Sequence, residues 1–250
     1  ASDSVVLQIG SVKDSTGEAS IESDATYSLT LLAHYYKLDE VEGTTYQDEI
    51  GDKDGTKSGN VTVADGKEGK AADFSSGGAS VDLPNDVLNG LEEYTLTTWI
   101  KWNGAGSGSQ TIFSNNSSGN RNSPGVWLRL NDGTITADNL NGGSVNSGST
   151  KVAANEWAHV AVVRRIDGTD LYVNGELVGT GTATIRLGDN GTHIGRNSDN
   201  KGWYGHDFHG AIDEFKIFKT ALNAAEVAEV AGLGHTHAYT VRNYDETNHW

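Results

Sequence analysis

The stretch from Asn155 to Gly179 leaves this chain the fewest options. In W-A-H-V-A-V-V-R, Trp157, His159, Ala161 and Val163 share one face, and Ala158, Val160, Val162 and Arg164 share the other. Alternation of period two is that of a strand, because successive side chains point to opposite sides of the pleat. Asp167-Gly168 turns the chain, and Leu171 and Val173 resume the alternation. Asn174-Gly175 then marks a two-residue hairpin, since both central positions of a type I′ turn need positive φ. Glu176-Leu177-Val178 returns. An antiparallel meander is therefore expected at the middle of the chain.

The flanking sequence repeats this grammar. Tyr27 to Leu38 is a long apolar and aromatic run that reads as a core strand, and Tyr94 to Trp102 is β-branched and aromatic throughout. Val61–Val63, Val81–Leu83, Thr111–Ser114, Val126–Leu130, Thr134–Ala137, Ala183–Leu187 and His193–Gly195 read as shorter strands, and Asn131-Asp132-Gly133 as a second hairpin. Gly210 to Phe218 is the last clear core strand, with Asp213 in phase with Phe215 and Ile217. One helix follows: Asn223 is its N-cap, Glu226 the capping-box partner and Gly232 the stop. About a dozen short strands exceed a single open sheet, so the expected fold is all-β, an antiparallel two-sheet sandwich with one short C-terminal helix. Residues 1–29 read as an N-terminal strand or linker, 30–233 as the domain, and 234–250 as a final strand or linker.

Charge narrows the partners. The formal net charge is -16, and residues 1–100 carry 19 of the 34 acids against 6 of the 18 bases. This argues against nucleic acid and anionic membranes, and makes divalent cations the natural counter-ions of the N-terminal part. Cysteine is absent, which excludes disulfides and thiolate chemistry. No run approaches the length of apolar sequence that inserts into a membrane. With neither a methionine nor a signal peptide, the sequence reads as a segment of something longer.

Several stretches together carry a resemblance. They are Y-Y-K-L-D-E (35–40), D-E-I-G-D-K-D-G-T (48–56), G-K-E-G-K-A-A-D-F (66–74), Y-T-L-T-T-W-I-K (94–101), N-E-W-A-H-V-A-V-V (155–163), L-Y-V-N-G-E-L-V-G (171–179) and G-A-I-D-E-F-K-I-F (210–218). In this order the chain resembles the laminin-G-like jelly roll of the concanavalin A-like lectin/glucanase superfamily. The resemblance implies a jelly-roll fold over about residues 30–233. It also implies a structural Ca²⁺ between the early acidic loop and the late G-x-I-D-E strand, which places Asp213 opposite Asp39.

Residues 39–54 hold seven carboxylates. Asp39, Asp48 and Asp54 are hard oxygen ligands of the kind Ca²⁺ takes, with Asp213 added by the resemblance; the plainer reading is a solvated acidic loop. The candidate sugar site joins Trp203 and Tyr204, aromatics in a long polar loop, to Arg196 and His206, and to Asn116, Arg121 and Trp127 around another. Planar polar groups beside an aromatic platform suit a pyranose ring; alternatively Trp203 plugs one end of the sandwich. Superfamily glucanases carry E-x-D-x-x-E on one strand face. The nearest match here, Glu22-Ser23-Asp24, lacks the third carboxylate, and Asp213 and Glu214 are expected on opposite faces. The sequence thus points to a non-catalytic, calcium-stabilised, extracellular lectin-like module. It would be monomeric within a larger bacterial secreted or cell-surface adhesin, and its partner an extracellular glycan or polysaccharide. A structural or adhesion domain that binds a cell-surface protein is the rival, and a glycan-degrading enzyme domain a more distant one.

Overall fold

The computed structural model describes residues 32–116, 125–139, 143–182, 190–197 and 206–232. Its strands, in chain order, are β1 (Leu32–Tyr36), β2 (Thr45–Tyr46), β3 (Gly55–Ser58), β4 (Thr62–Asp65), β5 (Lys70–Asp73), β6 (Ser80–Leu83), β7 (Tyr94–Trp102) and β8 (Gln110–Asn116). Then come β9 (Gly125–Asn131), β10 (Thr134–Asn139), β11 (Gly143–Asn146), β12 (Ala158–Arg165), β13 (Gly168–Val173), β14 (Glu176–Gly181), β15 (Asn190–Ile194) and β16 (Gly210–Phe218), followed by α1 (Ala224–Val230). They form two antiparallel sheets. The first runs β14-β13-β12-β7-β16-β5-β4 with β1 also on β16; the second runs β11-β10-β9-β8-β15-β6-β3-β2. The expected jelly-roll sandwich with one C-terminal helix is the observed fold.

The hairpins follow the sequence. Asn174 and Gly175 take φ of 49° and 75°, and Asp132 and Gly133 take 46° and 76°, so both turns are of the primed type that suits strand twist. The preceding turn falls one residue earlier than expected, because Gly168 already pairs with Arg165. Helix α1 has the full capping box: Asn223 accepts from the backbone of Ala225 and Glu226, and the Glu226 carboxylate accepts from the Asn223 amide. Four strands escaped the sequence reading. β2, β3, β5 and β11 are two to four residues long and partly exposed, so their extended state comes from pairing with neighbours more than from propensity.

Both faces of β12 are buried, as its apolar run requires. Ala158, Val160 and Val162 enter the main core between the sheets, while Ala161 and Val163 join a second cluster under α1 with Leu222 and Val227. Phe113 of the second sheet stacks on Phe215 of the first at 5.1 Å, tying the layers together. One expectation fails here. A bulge between Asp213 and Lys216 shifts the register of β16 against β7, and Glu214 takes a φ of 55°. Ile212, Phe215 and Ile217 all enter the core, whereas the Asp213 side chain turns outward. Asp213 is therefore out of phase with Phe215 and Ile217, and Glu214 lies on the same side as Asp213, reaching the Tyr35 hydroxyl at 2.6 Å.

His159 stands beside Trp99 on the outer face of the first sheet, their rings 5.3 Å apart, and is 1% exposed. Burial, with Lys216 adding to it, pushes its imidazole down to about 3. A folded-state value below the unfolded one means the unfolded chain binds the extra proton, so this contribution is complete above about pH 6.5 and is lost on acidification. Relative to a His159→Gln variant, wild-type stability should fall by about 1 kcal/mol per pH unit below pH 6. Parallel urea titrations at pH 7, 6 and 5 check this, and an identical pH dependence of stability in the two proteins would refute it.

Candidate functional site

With alternate residues of the second sheet turned to the core, the remainder face outward, and strand register sets which of them meet. Asp82 (β6) lies opposite His193 (β15), His193 opposite Ser114 (β8), Ser114 opposite Trp127 (β9), Trp127 opposite Asp138 (β10), and Asp138 opposite Ser144 (β11). At the usual strand spacing this row is about 24 Å long. A second row of Thr111, Arg129, Thr136 and Asn146 runs beside it.

The middle of the face is locked by its own contacts. The Trp127 indole Nε1 donates to Thr111 Oγ1 at 2.9 Å, and the His206 ring meets the indole edge-on, 5.2 Å between centres and 84° between planes. His206 lies in the segment entering β16 and is held by the start of β8: the Thr111 amide donates to its carbonyl at 2.7 Å, and its Nδ1 lies 2.9 Å from the Ser109 carbonyl. A carbonyl only accepts, so Nδ1 carries the proton of that bond. Arg129 lies 5.1 Å from the centre of the Trp127 ring, pairs through Nε with Asp138, and donates from Nη1 to Ser109 Oγ at 2.8 Å. Asp82 accepts from His193 Nδ1 at 2.7 Å and from Ser80 Oγ at 2.6 Å. Burial pushes the Asp82 carboxyl up, but these hydrogen bonds and the nearby Arg196 outweigh it and hold it below its usual value. Arg196 has its Nε 3.7 Å from Asp207, and its carbonyl accepts from Ser114 Oγ at 2.8 Å.

Of the sugar-site residues expected from sequence, Trp127 and His206 are thus in contact and Arg196 borders the same row. Asn116 ends β8 opposite Gly125 and Asn190. Arg121, Trp203 and Tyr204 lie outside the described residues. Arg129, Asp138, Asp82 and His193 were missed, although a signal for two of them existed. The Asp132-Gly133 turn pairs Asn131 with Thr134, which fixes Arg129 opposite Thr136 and Trp127 opposite Asp138.

The acidic stretch divides between two places. Asp48 is buried and its carboxylate accepts from His34 Nδ1 at 2.6 Å, the Tyr35 amide at 3.1 Å, and the Ile50 and Lys53 amides at 3.3 Å each. Asp54 accepts from the Asp48 amide at 2.9 Å. Asp39 and Asp213 instead share the turn between β4 and β5. Asp39 accepts from the Lys70 amide at 2.5 Å, and Asp213 Oδ2 from the amides of Lys67 at 2.7 Å and Glu68 at 3.0 Å. Gly69, at φ 51°, lets Asp39 come close, since a Cβ there would stand 2.6 Å from its Oδ1. Asp213 is 0% exposed, and its Oδ1 has no hydrogen-bond partner among the described residues. Burial raises its carboxyl to about 6, against the two amide hydrogen bonds, with Glu214 adding to the rise. Among the described residues, no three His, Cys, Asp or Glu side chains gather as a metal cage.

A family model described as the concanavalin A-like lectin/glucanases superfamily, of laminin-G type, matches residues 75–228. No curated protein matches the sequence significantly. Among solved structures, domain 4 of AbnA, an extracellular arabinanase of Geobacillus stearothermophilus solved with arabinotriose, is similar at 23% identity and a TM-score of 0.66, over 80% of this chain and 98% of that one. The binding domain of Paraclostridial Mosquitocidal Protein 1 is similar at 16% identity and 0.61, over 80% of this chain and 52% of that one. Trypanosoma rangeli sialidase, solved as a covalent intermediate with 2,3-difluorosialic acid, is similar at 12% identity and 0.61, over 80% of this chain and 32% of that one. At such identities the likeness is one of fold.

The four donors on Asp48 make it a keystone of the 48–54 loop. Asp48→Ala strands those donors and is expected to cost about 3 kcal/mol, read by urea denaturation. The loss should be the same with and without chelator; a loss that disappears in chelator would assign Asp48 to a metal instead.

Proposed function

The chain belongs to the concanavalin A-like lectin/glucanases superfamily, and on that premise we propose that it is a non-catalytic carbohydrate-binding module of a larger bacterial secreted or cell-surface adhesin, steadied by Ca²⁺. One observation carries this reading: the outward row of the second sheet, where Trp127 and His206 are locked in contact among hydroxyl, guanidinium and carboxylate groups. Polar groups held by strands rather than loops lose little freedom when a ligand arrives, which favours binding. The arabinotriose-bound neighbour supports the choice of a glycan. Against catalysis stands the state of Asp82. A glycosidase acid needs a carboxyl kept protonated by apolar surroundings, whereas hydrogen bonds hold Asp82 ionised. No helix among the described residues is long and apolar enough to cross a membrane. An extracellular site of action follows from the reading as a lectin.

Calcium would sit with Asp39 and Asp213. The bare, buried Oδ1 of Asp213, on the same turn that Asp39 holds, offers a hard oxygen donor that suits such a cation. Bound there, the ion would offset the desolvation of Asp213 and fasten the β4–β5 turn to β16.

The rival reading, an adhesion domain with no sugar site, draws on the same Trp127, whose indole already has three partners within the protein. A glycan array decides between them. Trp127→Ala, assayed below its own melting temperature, should weaken glycan binding by about tenfold or more. An array with no hits would leave the adhesion reading, and hits indifferent to this substitution and to Trp203→Ala would remove the sugar site from this face. For the metal, saturating Ca²⁺ should raise the melting temperature and chelator should reverse it, worth about 2.7 kcal/mol at a hundredfold excess over Kd. No shift would remove calcium from the account.

A further inference from the structure

Among the described residues the outward face carries two guanidinium groups, and the less exposed of them is held by a carboxylate. Arg129 is 23% exposed and its partner Asp138 17%; beyond that pair it donates to Ser109 and lies against the Trp127 ring. Arg196 lies near Asp207 and contributes to holding Asp82 ionised. Among the described residues, three carboxylates therefore stand against two guanidinium groups. Recognising a uronate, a sialate or a sulfate takes an Arg fork that is free to pair with the incoming anion in bidentate fashion. At Arg129 that anion would have to displace Asp138 from a half-buried pair and strand its charge, which costs more than an exposed pair would. The overall charge of -16 adds long-range repulsion of acidic polysaccharide. Hydroxyl groups meet no such obstacle, since a carboxylate engaged by Arg keeps lone pairs for a hydroxyl donor, and Ser144, Thr136 and Asn146 extend along the same face.

We propose that Asp138 is a specificity determinant: by occupying Arg129 it makes this face reject acidic glycans and accept uncharged ones. The proposal rests on the glycan-binding reading for its ligand and on the Arg129–Asp138 pair for its mechanism.

The test is calorimetry at low salt with arabinotriose and cellotriose as neutral probes and trigalacturonate and 3′-sialyllactose as acidic ones. Wild type should bind a neutral probe and bind the acidic ones at least about tenfold more weakly. Asp138→Asn frees Arg129 without changing side-chain size and should gain about tenfold for an acidic probe. That gain should fade as salt rises and vanish in Asp138→Asn/Arg129→Gln. Asp138→Ser repeats the comparison should the Asn variant unfold. Wild type binding acidic probes as tightly as neutral ones overturns the proposal and leaves the lectin reading standing. Absence of any gain on removing Asp138 also overturns it. Wild type binding no probe while Asp138→Asn takes up an acidic one upholds the screening role and removes the lectin reading.

Discussion

The bulge in β16 is the constraint on which the rest of the first sheet depends. β16 pairs with β7 on both sides of the bulge, with β5 before it and with β1 after it. In a regular strand Asp213, Phe215 and Ile217 would point the same way, so either the acid would enter the core or the aromatic would leave it. The extra residue resolves the conflict by restarting the alternation at Phe215. Positive φ at a non-glycine residue costs on the order of 1 kcal/mol or more. The surroundings compensate: Tyr35 donates to both Glu214 oxygens at 2.6 and 2.7 Å, Lys216 reaches Glu214 at 2.6 Å, and Thr98 Oγ1 donates to the Asp213 carbonyl at 2.8 Å. With Phe215 inside, the Phe113–Phe215 stack can join the sheets; with Asp213 outside, the β4–β5 turn acquires its anchor.

The same bulge marks where sequence ceased to be a sufficient guide. Long strands with uninterrupted alternation, β7 and β12, were legible because burial imposes their pattern directly. The two primed hairpins were legible because only a few residue pairs tolerate positive φ twice in succession. Nothing comparable announces a bulge built on Asp-Glu, where neither residue is glycine. Strands such as β11, whose G-S-V-N reads as loop, take their form from the partner alongside, and that partner is known only after the sheet is assembled.

The candidate site shows the same division. Aromatic and planar polar residues drew attention to Trp127 and His206, and the two are in contact. Arg129 and Asp138 were passed over because each looks unremarkable along the chain. Their significance lies across it, in a register that one two-residue turn transmits to the whole β9–β10 pair.

The two outward faces meet different physical demands. The first sheet covers its outer side with α1 and with the Trp99–His159 pair, so polar groups there are drawn into packing, and His159 is held neutral by burial. The second sheet keeps a polar row of mixed exposure, where Arg129 and Asp138 answer each other and Asp82 accepts from His193 and Ser80. Such a surface has little electrostatic pull to offer a ligand. What it presents is a fixed pattern of donors and acceptors around a rigid indole, and that favours shape and hydroxyl geometry over charge as the basis of recognition. Rigidity and internal neutralisation are then one property: the Arg129–Asp138 pair that steadies the Trp127 ring also removes the cation an acidic ligand would seek.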